Sequence, residues 1–460
     1  MSVAKVGFIV FGVHKDGLKD PMGRPFIDDG IVAKSKKALK DAGLELVEHS
    51  VVIASKKEAA ECFSKFKKMD DIDAVVLFSG TWVWSAHMAA AVRDFSFSNK
   101  GIVLWTHPGS QGWRPVGGYV MHGALKEIGI AHRFVYGAAD CPADVERIVS
   151  YCAASAERSL LNMSTIGVFG GRGMGQTCGV ADPSQWLRVF GVDIDSRDTS
   201  SLLETAKSLT KAEIDAAKKS AQKFFAEQIP SDEVAERSVR LYAALKKILK
   251  AESWDFYTIQ SFPGLGDEYS ATCFAQSMIL NDGIGTSTLS DFNTAMTVKL
   301  LTDLSPEPVY YGDMQHADKA AKEIKIIGDG ACPPSLAGKR GPAKFAGHGI
   351  PTEGKAGGLS VDLVCKPGKG VIARLGRVSG KFEMVIARCE IFEPSEKEIK
   401  KRRLECGIPF WPHAFLNMDC DMDKLLEAWN NEYAVLGYGE HLYNELADFC
   451  SLTGIEAVAL

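Results

Sequence analysis

The feature that most constrains this chain is the alternation of short apolar runs and amphipathic stretches over residues 1–155. The apolar runs VGFIVFG (6–12), LELVEHSVV (44–52), DAVVLFSG (73–80) and GIVLWTHPG (101–109) have strand length. Between them lie DDGIVAKSKKALKDAG (28–43), KKEAAECFSKFKKM (56–69) and a stretch from about Ser85 to Phe95, each with helical spacing. Strands that alternate with helices imply a parallel sheet covered on both faces. Such sheets place ligands in the loops after their strand C-termini.

A second unit of the same grammar starts near Ser164. STIGVFGGRGMGQT reads as a strand and a Gly-rich turn, followed by helices over 205–226 and 231–252, the strand WDFYTIQSF, the helix CFAQSMILNDG and the strand EPVYYGDM (307–314). From about residue 336 the pattern changes to period-2 alternation broken by PG, GKG and SGK turns, which predicts antiparallel strands. The tail from Asp421 reads as helical, ending in a strand-like IEAVAL. The expected fold class is therefore α/β: two Rossmann-like or flavodoxin-like α/β domains, 1–160 and 161–335, and a C-terminal antiparallel β-rich domain with a closing helix, 336–460.

Composition excludes several functions. A net charge of -5 offers no basic face for nucleic acid. No apolar run is long enough to span a bilayer, so no membrane partner is expected. MSVAKVGFIVFG carries a Lys inside its apolar run and no small-residue cleavage site, and so reads as a first strand rather than a signal peptide. The 11 cysteines include no CxxC pair, which fits free thiols in a reducing cytoplasm and argues against structural zinc.

The candidate chemistry is dispersed. GGRGMG (170–175) follows a strand but lacks GxGxxG spacing, so a tight turn is the expected reading, and a nicotinamide-dependent oxidoreductase is disfavoured. THPGSQGWRP contributes Gln111, Trp113 and Arg114 after a strand, and GTWVWSAH contributes Trp82 and Trp84 after the neighbouring one. Aromatic faces beside hydrogen-bonding groups suit the apolar and polar sides of a sugar, although core packing is the default role of each Trp alone. Asp313 ends a strand, the position that points into the ligand crevice of an α/β sheet. His348 lies in a polar loop, His413 in WPHAF and Glu432 in NNEYAV.

Taken in order, VFGGRGMGQTCGVADPSQWLRVFGVDIDSRDTSSLLE, LSDFNTAMTVKLLTDLSPEPVYYGD, PGKGVIARLGRVSGKFEMVIARCE and NNEYAVLGYGEHLYNELADFCSLTGI make the chain resemble the L-fucose/L-arabinose isomerase superfamily. The resemblance implies a ketol isomerase that moves a proton between C1 and C2 of a small sugar through an enediol. It also implies a divalent cation, Mn2+ or Mg2+, and a homo-oligomer, often a hexamer. Carried over by position, it puts catalytic carboxylates at Asp313 and Asp291, and metal ligands at Asp313, Glu432 and His348. Substrate contacts would come from Trp82, Trp84, Gln111, Trp113, Arg114 and His413. The family's first carboxylate position holds Leu289 here, and its C-terminal His position holds Glu432. If 289–291 is extended, Leu289 and Asp291 face one side and Asp291 can stand in for the missing Glu. Two further readings stay open. One is an epimerase or lyase acting on a modified or acidic sugar, with Arg114, Arg172 and Lys339–Arg340 as candidates to bind an anionic group. The other is a non-catalytic sugar-binding homologue.

Overall fold

A computed structural model describes residues 3–13, 19–109, 111–339, 342–347, 355–405 and 410–460. The chain forms two compact units, one of Met1–Leu160 with Asn444–Thr453, the other of Leu161–Tyr443 with Gly454–Leu460.

The first unit is a five-stranded sheet of β1 (Lys5–Phe11), β2 (Glu45–Glu48), β3 (Ala74–Ser79), β4 (Gly101–Thr106) and β5 (Arg133–Tyr136) in the order β2-β1-β3-β4-β5. Every pairing is parallel. The helices α1 (Asp29–Asp41), α2 (Lys56–Lys67), α3 (Ala89–Ser96), α4 (Arg114–Glu127) and α5 (Pro142–Leu161) alternate with the strands. β3 and β4 are buried throughout, which is why they read as unbroken apolar runs. Asp28 caps α1 by accepting from the Ile31 N–H, and Ser55 caps α2 by accepting from the Glu58 N–H. Ile9, Leu77 and Leu104 from the sheet pack with Phe63, Phe66, Phe95 and Met121 from the helices. The returning segment Asn444–Thr453 is fastened by Asp448, which accepts from Ser150 Oγ at 2.8 Å and pairs with Arg133. The strand order reverses between β1 and β3, so the ligand crevice expected of such a sheet lies at their C-terminal ends.

The second unit holds a parallel sheet of β6 (Thr165–Phe169), β7 (Asp193–Arg197), β8 (Phe256–Ile259) and β9 (Thr286–Ser287), in the order β7-β6-β8-β9. Its other main sheet uses β10 (Tyr310–Asp318), β11 (Glu323–Ile327), β14 (Gly368–Val378), β15 (Lys381–Phe392), β16 (His413–Met418), β17 (Tyr433–Tyr438) and β18 (Glu456–Ala459); β12 (Lys344–Gly347) pairs with β13 (Leu359–Asp362). The order β14-β17-β10-β11-β16-β15-β18, with β14 also paired to β15, closes the first six into an antiparallel ring among the described residues. β18 adds to β15 in parallel. Closure removes the exposed edges that an open sheet of this length would carry. Both sheets share one core, in which Tyr257 and Phe274 lie with Ile326, Ile372 and Leu436.

The α/β class with an antiparallel-rich sheet is as the sequence implies. β10 follows the central α/β segment in sequence, yet it pairs with β11 and β17 of the ring.

Candidate functional site

In the first unit, two groups of residues singled out in the sequence come together. The Trp82 N–H donates to the Gly112 carbonyl at 3.0 Å, which ties the loop after β3 to the loop after β4. Gly112 has φ 64°, and a Cβ there would lie 2.4 Å from the Phe26 carbonyl oxygen, so only glycine allows this approach. Trp82 and Trp84 stack edge to face with centroids 4.5 Å apart. Trp84 and Trp113 are 61% and 60% exposed, an unusual position for large aromatic rings. Gln111 donates to the Pro25 carbonyl at 2.8 Å. Arg114 is buried at the start of α4. This aromatic rim sits on the C-terminal side of the sheet, where the fold places ligands.

In the second unit, the site grows from two strand ends that share a sequence signature. YYGD (310–313) runs along β10, and IIGD (326–329) ends β11 and the turn after it. A Cβ on Gly312 would lie 2.6 Å from the Ile327 carbonyl oxygen, so this glycine lets the two backbones meet. Asp313 pairs with Ile327 on one side and Tyr433 on the other. Directly opposed residues share a face of the sheet, so Tyr433 and Asp313 project together. Tyr311 and Tyr433 contact edge to face at 5.6 Å, and Tyr433 Oη lies 2.9 Å from Thr288 Oγ1. Asp329 sits between Gly328 and Gly330, and its Oδ1 is buried with no hydrogen-bond partner. Burial, then the charges of Asp329 and Glu432, push the Asp313 carboxyl up to about 7. Burial likewise pushes Asp329 up to about 6 against an opposing hydrogen bond from Thr288. Two carboxyls that repel each other in a desolvated site ionise one after the other, leaving one protonated while the other is charged.

Asp291 has a different place. It is fully buried at the N-cap of the helix Phe292–Leu304. Its Oδ1 accepts from the Thr294 N–H at 2.9 Å, and its Oδ2 accepts from Thr294 Oγ1, Asn431 Nδ2 and Arg374 Nη2 at 3.0, 3.0 and 2.8 Å. Arg374 is itself fully buried and also donates to Thr294 Oγ1. The carboxylate is thus the counter-ion of a buried guanidinium, and its lone pairs are occupied. The extended geometry that would align Leu289 with Asp291 does not form: Leu289 and Ser290 have φ 57° and 52°, in the left-handed region.

That turn explains the Gly-rich stretch. A Cβ on Gly173 would lie 2.0 Å from the Leu289 carbonyl oxygen, and one on Gly179 would lie 2.8 Å from Asp291 Oδ1. Gly173 and Gly179 thus let the 170–179 loop pack onto the Thr288–Asp291 turn, and the positive φ of Gly170, Gly175 and Gly179 gives the loop the tight turns expected of it. We expect Gly173→Ala to cost about 1–3 kcal/mol by overpacking, read as a lower midpoint of urea unfolding.

Glu432 is exposed and accepts from Gln176 Nε2 at 2.5 Å. His413 is fully buried and its Nδ1 bonds the Trp411 carbonyl at 2.7 Å. Burial and the neighbouring Arg403 push it down to about 3, so it is neutral at ordinary pH. His348 and Arg340 lie outside the described residues. Among the described residues, no group of three or more His, Cys, Asp or Glu side chains is arranged to hold a metal ion. Asp313 feels the charges of Asp329 and Glu432, and His348, the third metal ligand the resemblance implies, lies outside the described residues. Asp329 was not among the residues the sequence singled out, although the repeated strand-Gly-Asp pattern marks it.

A sulfoquinovose isomerase from Clostridium sp. (strain MSTE9) is 26% identical over 276 residues, covering 59% of this chain and 61% of that protein. The chain is a distant relative of a sugar isomerase. It spans less than two thirds of that relative's length. No family model matches. Among solved structures, GanP, a glucose-galactose binding protein from Geobacillus stearothermophilus, aligns over 66% of this chain and 90% of that one. Its 12% identity and TM-score of 0.19 carry no argument. No described helix is long and apolar enough to cross a membrane.

Proposed function

We propose that the chain interconverts the aldose and ketose forms of a small sugar, with the Asp313–Asp329 pair moving the proton. The observation that carries this reading is the pair itself, two neighbouring carboxyls pushed up to about 7 and about 6. The ionised member takes the proton from C2 of the aldose. The C2–H electron pair becomes the C1=C2 bond, and the carbonyl π pair moves to O1, which takes a proton from the neutral member. The enediol then collapses the other way: the member that protonated O1 takes the proton from O2, the O2–H pair forms the C2=O2 bond, and the C1=C2 pair takes the proton held by the other member to form the new C1–H bond. No oxidant or reductant is consumed. Burial keeps the hydroxyls of Tyr311 and Tyr433 neutral by pushing both well above the ordinary tyrosine range, so they stay hydrogen-bond donors beside the pair. The distant isomerase relative supports the reaction class and makes sulfoquinovose, a sulfonated aldose, the first compound to test. The exposed faces of Trp84 and Trp113 in the first unit suit the apolar side of a sugar ring.

The test is a panel of aldoses, neutral and acidic, incubated with the protein with and without added Mn2+, with ketose formation as the readout. Turnover of one or more aldoses supports the reading, and none across the panel overturns it. The pH profile sharpens it. With ionisations of the free protein near 6 and 7, kcat/KM rises through about 6, where the base appears, and falls through about 7, where the acid is lost. Stability follows the same groups. The Asp313 carboxyl is raised in the folded protein from the ordinary 3.8 to about 7, so its stabilisation is present below about pH 4 and lost as pH rises through about 7. Asp313→Asn escapes that loss, so we expect its unfolding free energy to gain on the wild type between these limits.

A further inference from the structure

The N-terminal unit contains a buried cation whose surroundings are unfavourable in three separate ways. Arg114 is 3% exposed, and its Nε and Nη1 have no hydrogen-bond partner. A desolvated guanidinium with idle donors carries the full penalty of their burial. It also stands at the first position of α4, a helix of 14 residues whose N-terminus repels positive charge. Finally, no side chain caps that terminus: Trp113 holds the N-cap position with φ 52° and makes no capping hydrogen bond. Helical side chains lean toward the N-terminus of their helix, and the guanidinium does so here. Its Nη2 would lie 3.2 Å from a Cβ on Gly109, in the exposed loop after β4. Asp28 is the acidic group whose charge acts on Arg114, but its Oδ1 already caps α1.

An anion with several oxygens relieves all three costs at once. It accepts from the idle guanidinium donors, satisfies free N–H groups at the start of α4 and reverses the sign of the local field. We infer that Arg114 and the N-terminus of α4 form an oxyanion subsite beside the Trp82–Trp84 and Trp113 rim, taking a sulfonate, phosphate or carboxylate group of a small molecule. This subsite does not depend on the isomerase reading, since it lies in the other unit and binds without turnover.

The test is calorimetric titration of the full chain with methanesulfonate, inorganic sulfate, inorganic phosphate and acetate, each at ionic strength fixed with sodium chloride. Saturable binding of at least one, weakened about tenfold or more in Arg114→Gln, is the expected result. The order of affinities distinguishes a sulfonate site from a phosphate or a carboxylate one. Absence of saturation in the wild type overturns the inference, as does an Arg114→Gln protein that titrates like the wild type. Should Arg114→Gln fail to fold by circular dichroism, Arg114→Lys, which keeps the charge but loses the guanidinium fork, replaces it. Binding weakened severalfold in Arg114→Lys supports the subsite, and binding at the wild-type affinity overturns it.

Discussion

Asp313→Asn removes turnover, lowering kcat by about 10²–10⁴-fold with KM little changed. The amide occupies the same volume on β10 and keeps the strand's pairing with Ile327 and Tyr433, so the fold survives. What it loses is the ability to take and return a proton. It also removes the like charge felt by its neighbours, so the surviving Asp329 titrates alone. Asp329→Asn behaves differently: Asp313 keeps its carboxyl but loses the repulsion of Asp329, one of the causes that hold it up near 7. Its variant should therefore shift the pH profile to lower pH as well as reduce the rate. A pH series of steady-state kinetics on both variants separates these effects.

Asp291→Ala has its large effect on stability rather than on chemistry. It strips the counter-ion from Arg374, which is fully buried, and removes the cap of the helix Phe292–Leu304. Breaking a buried pair from one side costs about 3–5 kcal/mol, because the remaining charge has nowhere to go. The cap adds about 1 kcal/mol. Restoring apolar balance with Arg374→Met in the same chain should recover part of the loss, as a buried pair can be replaced by packed side chains. Urea unfolding of the single and double variants reads the difference. A single variant as stable as the wild type would show that the pair contributes nothing to the fold.

The contrast between these two aspartates shows what the sequence could and could not tell. Strands such as DAVVLFSG and the helices between them are legible because burial on both faces leaves an unbroken apolar run. The affiliation of β10 is not, because YYGDM looks the same whether its partners are parallel or antiparallel. YAVLGY of β17 was hidden in a tail that reads as helical. The role of Asp291 depends on Arg374, a partner 83 positions away, which no local spacing reveals. Asp329 was readable in principle, since IIGD repeats the YYGD of the adjacent strand. The turn residues on both sides made it look like a loop aspartate. The tie between Trp82 and the Gly112 loop follows from neighbouring strands ending side by side, which parallel alternation does predict.

The most direct test of the Asp313–Asp329 assignment is proton exchange at carbon. An aldose from the panel, sulfoquinovose first, is incubated in D2O with wild type and with Asp313→Asn, and its C2–H signal is followed by proton NMR. The carboxyl-pair account predicts that the wild type forms ketose with deuterium at C1 and, by the reverse reaction, replaces the C2–H of the aldose with deuterium, while Asp313→Asn leaves the signal intact and remains folded. Exchange by Asp313→Asn at the wild-type rate would contradict it, and so would ketose formed by the wild type with no solvent deuterium at either carbon and no dependence on either aspartate.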